Sequence, residues 1–142
     1  MRGTSRDADR VAELGDAGLE GVVADPNRIG TIVDELEGVT LVFWLMGSAA
    51  GDEDEVAALH GPRLERLMEE VVDTPVRGVV YEAAGTVPRA VLRGGEAILN
   101  AARERWRIPV AIVAAEQDDV GEWLDAMMGA AEELTGAAGR PA

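Results

Sequence analysis

The sequence predicts an α/β fold: three layers, with helices on both faces of a short parallel sheet of about four strands. Two observations predict it. Four short apolar runs recur without the in-and-out alternation of half-exposed strands, which is how strands buried on both faces read. Amphipathic helical patterns lie between these runs, so consecutive strands are joined by right-handed β-α-β crossovers.

The elements follow in order. The opening "MRGTSRDADR" reads as a loop that feeds the first helix. Ala8–Asp16 carries Val11 and Leu14 three apart and reads as that helix. Leu19–Asp25, "LEGVVAD", is the first strand. Asn27–Glu37 places Ile29, Ile32, Val33 and Leu36 on one helical face, and Gly38 stops it as a C-cap. Val39–Met46, "VTLVFWLM", is the second strand. Glu53–Asp73 is a longer helical pattern broken at Gly61-Pro62, with Pro62 opening its second piece. Val76–Ala84 is the third strand, and Val91–Trp106 the helix after it, with Gly94-Gly95 as a helix start. Pro109–Ala115 is the fourth strand, and Val120–Leu134 the last helix, carrying Trp123, Leu124, Met127 and Met128. The terminal "GAAGRPA" reads as frayed. No fixed-period repeat and no linker divides residues 1–142, so one domain is expected.

Composition narrows the function. Twenty-seven acids face 13 bases, for a net charge of −14. Every base is arginine; the chain has no lysine. Such a surface repels nucleic acid and anionic lipid, so neither is an expected partner. Without lysine there is no Schiff-base chemistry on the protein and no P-loop. Without cysteine there are no disulfides and no thiolate metal sites. No apolar run reaches the roughly 20 residues that span a bilayer, and no secretory signal pattern is present, so a cytoplasmic protein is the default expectation.

Several segments carry a resemblance. "RGTSRDADRVAEL" is similar to the segment just after the second strand of NAD(P)-binding Rossmann-fold proteins of the atypical short-chain dehydrogenase and epimerase-like group. "GLEGVVADP" resembles their third strand, "LEGVTLVFWLMGSA" their fourth, "TPVRGVVYEAAGTV" their fifth and "WRIPVAIV" their sixth. The resemblance implies a Rossmann-like domain and NADP or NAD as the cofactor to consider. It assigns Arg2, Thr4, Ser5 and Arg6 to the 2′-phosphate of NADP. It sets Asp25 near the adenine, Gly47 and Ser48 beside the nicotinamide ribose, and Thr86 near the reacting centre.

The departures from that pattern shape the reading. The family opens with a strand and a Gly-rich turn that aims a helix N-terminus at the pyrophosphate. By the resemblance, this sequence starts one β-α unit later. The family's Tyr-x-x-x-Lys dyad is also absent, because Tyr81 is the only tyrosine, sits in an expected strand and has no lysine to partner it. No catalytic residue is assigned. The sheet order stays open: the strand at Leu19 pairs with that at Val39, or a partner chain fills the gap between them. A shortened sheet exposes apolar surface, so a homo-oligomer, in its commonest form a dimer, is expected.

The acidic residues admit a plain reading and a functional one. Asp52, Glu53, Asp54 and Glu55 fall where a helix begins, and carboxylates there stabilise the helix dipole by about 0.3–1 kcal/mol each. Asp52 and Asp54 have EF-hand-like spacing without the loop glycine or distal glutamate, so no metal is expected. Asp25, Asp52, Glu82, Glu116, Asp118 and Asp119 all fall at or just after strand ends. Ligands bind beyond those ends in open parallel sheets. A carboxylate about 6 Å from a phosphate charge repels it by roughly 3 kcal/mol at an effective dielectric near 20. Arg2, Arg6, Arg28 and Arg89 offset part of this, and the crevice is expected to be electrostatically poor for a dinucleotide. His60, before Gly61-Pro62, reads as a local cap or surface residue. Tyr81 and Trp44 read as core, and Trp106 and Trp123 as residues of helix faces.

Overall fold

The computed structural model describes residues 1–139. Arg140–Ala142, the end of the segment expected to fray, lie outside the described residues. Five strands alternate with six helices: β1 (Arg2–Ser5), α1 (Ala8–Asp16), β2 (Glu20–Val23), α2 (Ile29–Val33), β3 (Leu41–Trp44), α3 (Glu53–Leu59), α4 (Pro62–Val71), β4 (Gly78–Glu82), α5 (Arg89–Trp106), β5 (Val110–Val113) and α6 (Val120–Gly139). All strand pairs are parallel. The α/β class expected from sequence is the one observed.

The sheet differs from the expectation in two respects. The opening residues form a strand and not a loop. Arg2–Ser5 pairs in register with Glu20–Val23 although it carries no large apolar side chain. Its packing surface is borrowed, because Gly3 lies close enough for Leu14 and Leu19 to cover its backbone. Second, the strands form two sheets, β1-β2 and β3-β4-β5, in place of one sheet of four. The strand after Leu19 therefore pairs with β1 and not with β3.

The helices follow their sequence signals. Asp7 caps α1 by accepting from the Asp9 N–H, and Pro62 occupies the first turn of α4. The helix expected over Asn27–Glu37 is regular only across α2. Its last turns loosen into single bonds such as Leu36 N–H to Val33 O before Gly38, at φ 75°, reverses the chain. Gly94 and Gly95 lie inside α5 rather than at its start, which Pro88 and Arg89 set. Gly95 is there for a neighbour: a Cβ on it would fall 2.1 Å from the Tyr81 hydroxyl.

The core forms around β4, in which every residue is buried. Val79 and Tyr81 face the cluster built from α2, α4 and α5, with Leu64, Leu67, Met68 and Leu99 fully enclosed. Val80 faces the opposite side, against Met127, Ala130 and Leu134 of α6. This is the alternation of a strand covered on both faces.

Two buried polar groups sit in the first of these layers. His60 is the C-cap of α3, as the sequence suggests, but it is buried rather than a surface residue. Its Nε2 lies 2.9 Å from the Met46 carbonyl and its Nδ1 2.6 Å from the Tyr81 hydroxyl. A carbonyl only accepts, so Nε2 carries the proton and Nδ1 accepts from Tyr81. Burial lowers the His60 pKa from its ordinary 6.5, against the opposing pull of the Met46 carbonyl and Glu82. Burial, reinforced by Glu96, pushes the Tyr81 phenol up.

The His60 shift makes stability depend on pH. A folded-state pKa below the unfolded one means that unfolded chains bind the proton more readily. The contribution is fully present above about pH 6.5 and is lost as pH falls through the folded pKa. Urea midpoints measured between pH 7.5 and 5 should fall more steeply for the native protein than for His60→Gln. Parallel slopes would show that His60 takes no part.

Candidate functional site

The carboxyl ends of the strands are organised by one side chain. Glu82 closes β4 and is fully buried. Its Oε1 accepts from the Gly47 N–H at 2.8 Å. Its Oε2 accepts from Gln117 Nε2 and from Trp123 Nε1, each at 2.8 Å. Three segments are thereby tied to the central strand: the turn after β3, the loop after β5 and the first turns of α6. No arginine forms an ion pair with Glu82 among the described residues. Neutral N–H donors alone satisfy it.

Gly47 and Gly85 bring the two neighbouring turns together. A Cβ on Gly47 would fall 2.0 Å from the Ala84 carbonyl, so only glycine fits. Gly85 adopts φ 140° against the Gly47 carbonyl and the Ser48 hydroxyl. The Val87 N–H then bonds the Gly47 carbonyl at 2.9 Å, and the Thr86 N–H reaches Ser48 Oγ at 3.3 Å. Gly47, Ser48 and Thr86 are thus one cluster, two crossed turns above β3 and β4.

Thr4, Ser5 and Arg6 belong to a different place. With Ala24, Pro26 and Asn27 after β2, and Met46, Ala49 and Ala50 after β3, they line a cleft of about 240 Å³ at the ends of β1, β2 and β3. Val56 and Leu59 extend its apolar floor, Glu55 stands at its rim, and Arg6 is the one cation among its lining residues. The Asn27 side-chain oxygen is buried and has no hydrogen-bond partner. Asp25 stands between the lining residues Ala24 and Pro26. Its side chain accepts from the Asn27 N–H, and its backbone N–H bonds Thr31 Oγ1. Arg2 lies at the opposite end of β1, where its guanidinium meets Glu20 and the carbonyls of Glu35 and Glu37.

Of the acids read from sequence at strand ends, Asp25, Asp52, Asp118 and Asp119 accept from nearby backbone N–H groups. Asp52 caps α3 through Asp54 and Glu55, and Asp119 accepts from the Glu122 N–H at the start of α6. Among the described residues no three His, Cys, Asp or Glu side chains converge as metal ligands. A larger groove, of about 560 Å³, runs along β5 and α6 and is lined by Ala, Gly, Val and Ile residues, with no titratable group but Glu133. No helix of the described residues is long and apolar enough to cross a membrane.

Comparison with known proteins bears on the fold. No family model matches the chain, and no curated protein matches it. Two solved structures of the triphenylmethane reductase of Citrobacter sp. share its architecture. One is complexed with NADP(H) and superposes with a TM-score of 0.56 at 17% identity; the other gives 0.56 at 18%. Each match covers 78% of this chain and 38% of the reductase chain. The fold is Rossmann-like α/β.

The Glu82 assembly predicts a graded response to substitution. Glu82→Ala leaves three N–H groups without acceptors and should cost about 3 kcal/mol in urea unfolding. Glu82→Gln keeps the shape but turns an amide donor toward another donor, and should cost about 2 kcal/mol. A Gln variant as stable as the native protein would show that the acceptor set is unimportant.

Proposed function

We propose that this chain is a Rossmann-like domain of NAD(P)-binding type that holds nucleotide weakly, through the adenosine end, and carries no catalysis of its own. The cleft beside Thr4, Ser5 and Arg6 supports this reading most. It lies beyond the carboxyl ends of parallel strands, where such folds bind ligands. Its lining of Ala24, Pro26, Met46, Ala49, Val56 and Leu59 suits a flat base. Arg6 and Ser5 suit a ribose phosphate.

Weakness follows from the same geometry. The cleft is smaller than the roughly 300–1,000 Å³ of most small-molecule pockets. Its lining holds a single arginine, Arg6, beside one carboxylate, Glu55, and no Gly-rich turn among these residues presents backbone N–H groups to a pyrophosphate. Tyr81, the only phenol, is enclosed by His60, Leu92 and Gly95 and is out of reach of a substrate.

A second reading rests on the coverage. The chain spans 38% of the reductase chains it resembles. The residues would then be the part of an NAD(P)-dependent oxidoreductase or epimerase-like enzyme that lies beyond its Gly-rich unit.

The proposal includes self-association. Val120, Leu124 and Met128 form one exposed apolar stripe at i, i+4 and i+8 on α6.

Tryptophan-fluorescence titration tests the first part. NADPH should bind more weakly than about 0.1 mM, roughly −5.5 kcal/mol, and Arg6→Ala should abolish it. Low-micromolar binding that is indifferent to Arg6→Ala would overturn the reading. Sedimentation tests the second: a dimer at about tens of micromolar that Leu124→Asp converts to monomer. A native monomer under those conditions would remove self-association from the account.

A further inference from the structure

The Tyr81 hydroxyl stands between two acceptors. His60 Nδ1 lies 2.6 Å from it and the Leu92 carbonyl 3.3 Å from it. A hydroxyl has one proton to give, and the shorter contact takes it while the imidazole is neutral. The Leu92 carbonyl lies inside α5 and has a second lone pair beyond the one that its helical bond uses. Gly95 keeps this approach open, since a Cβ there would fall 2.1 Å from the hydroxyl. Rotation about the C–O bond alone redirects the proton.

Two carboxylates act on the pair. Glu82, next along β4, favours a positive charge on His60, and Glu96, next to Gly95 on α5, helps to keep the Tyr81 phenol protonated. From α3 and α4 the core cluster around Tyr81 receives apolar side chains: Leu59, Leu64, Leu67, Met68 and Val71. The turn after β3 presents a backbone group, the Met46 carbonyl. Burial outweighs the help from Glu82 and Met46, so the ring stays neutral until the pH falls below the ordinary imidazole value of 6.5.

The geometry points to a proton switch inside the core: His60 takes up a proton at Nδ1 in the folded protein, and the Tyr81 hydroxyl turns from Nδ1 to the Leu92 carbonyl to receive it. The exchange leaves no group unpaired. The new Nδ1–H donates to the Tyr81 oxygen, the Tyr81 O–H donates to Leu92, and Nε2–H goes on donating to Met46. A hydroxyl fixed as a donor would oppose the new N–H, and protonation would then require unfolding. The charged ring donates a bond roughly twice as strong as the neutral one to the Met46 carbonyl, which also accepts from the Ala49 N–H. Met46, Ala49 and Leu59, the residue before His60, line the cleft beside Arg6. Acid therefore tightens that wall of the cleft. The switch stands apart from nucleotide binding and survives its failure.

His60 is the only histidine, so its ring signals in isotope-labelled protein follow the proton directly by NMR. As the pH falls from about 7.5 to about 4.5, they should titrate while the backbone spectrum stays that of the folded protein. The Leu92 carbonyl carbon should shift with the same midpoint, as the hydroxyl proton arrives there. Tyr81→Phe keeps the aromatic ring but leaves the new Nδ1–H without an acceptor. The His60 midpoint should then fall by about one pH unit, a roughly tenfold weaker hold on the proton. A hydroxyl that only donates favours the neutral imidazole, and its removal would raise the midpoint instead. A midpoint that rises or stays in Tyr81→Phe overturns the switch. So does either of two results in the native protein, which need no variant to fold: a Leu92 carbonyl that ignores the His60 titration, or a His60 that gains its proton only as the chain unfolds. A Met46 carbonyl carbon that stays still through the titration overturns the link to the cleft.

Discussion

A buried carboxylate with three N–H donors and no cation holds the strand ends of this protein together. Glu82 terminates the one strand that is buried along its whole length, and its two oxygens gather the turn after β3, the loop after β5 and the start of α6. Burying an unpaired carboxylate costs several kcal/mol, so the position is tolerable only because every acceptor site in use is filled by a fixed N–H. The arrangement is cooperative: Gly47 donates to Glu82 and at the same time accepts from Val87, which fixes the following turn. Loss of the carboxylate therefore loosens both crossed turns and not one bond.

Its neighbour in sequence anchors the opposite face. Consecutive strand residues point to opposite sides, so Tyr81 enters the layer of α3, α4 and α5 while Glu82 enters that of α6. Tyr81 donates to His60, and His60 donates to Met46, one residue before Gly47. The two polar groups of β4 thus converge on the same dipeptide, Met46-Gly47, from the two faces of the sheet. A slip of one residue in β4 would exchange the two side chains and leave both groups unsatisfied. The register of the central strand is specified by this pair beyond what interchangeable valines can specify.

Much of the architecture was legible in the residues. The helical spacing of Val11 and Leu14, the acidic run that begins at Asp52 and the break at Gly61-Pro62 located α1, α3 and α4, and unbroken apolar runs located β2 to β5. What was illegible had physical reasons. β1 has the composition of a loop, because Leu14 and Leu19 cover it and its own side chains bury little. The division into two sheets depends on which edges meet, which no local pattern encodes. Glu82 resembled the other acids at strand ends, since three donors separated by 35 or more residues leave no mark in the neighbouring sequence. His60 was half legible: its cap position follows from Gly61-Pro62, while its burial depends on Tyr81 and on the space left by Gly95. Of the site residues, Thr4, Ser5 and Arg6 share one cleft, Gly47, Ser48 and Thr86 share another cluster, and Arg2 stands at the far end of its strand.

The functional reading rests on those ends being held rigid, since a cleft bounded by mobile turns would not select a nucleotide. The most direct test follows the two donors that report on Glu82 itself, the Gly47 amide and the Trp123 indole N–H, by native-state hydrogen exchange. The account predicts that both exchange only with the global unfolding of β4, as slowly as the Val80 amide. Exchange of either at the rate of an exposed loop, with β4 still protected, would contradict it.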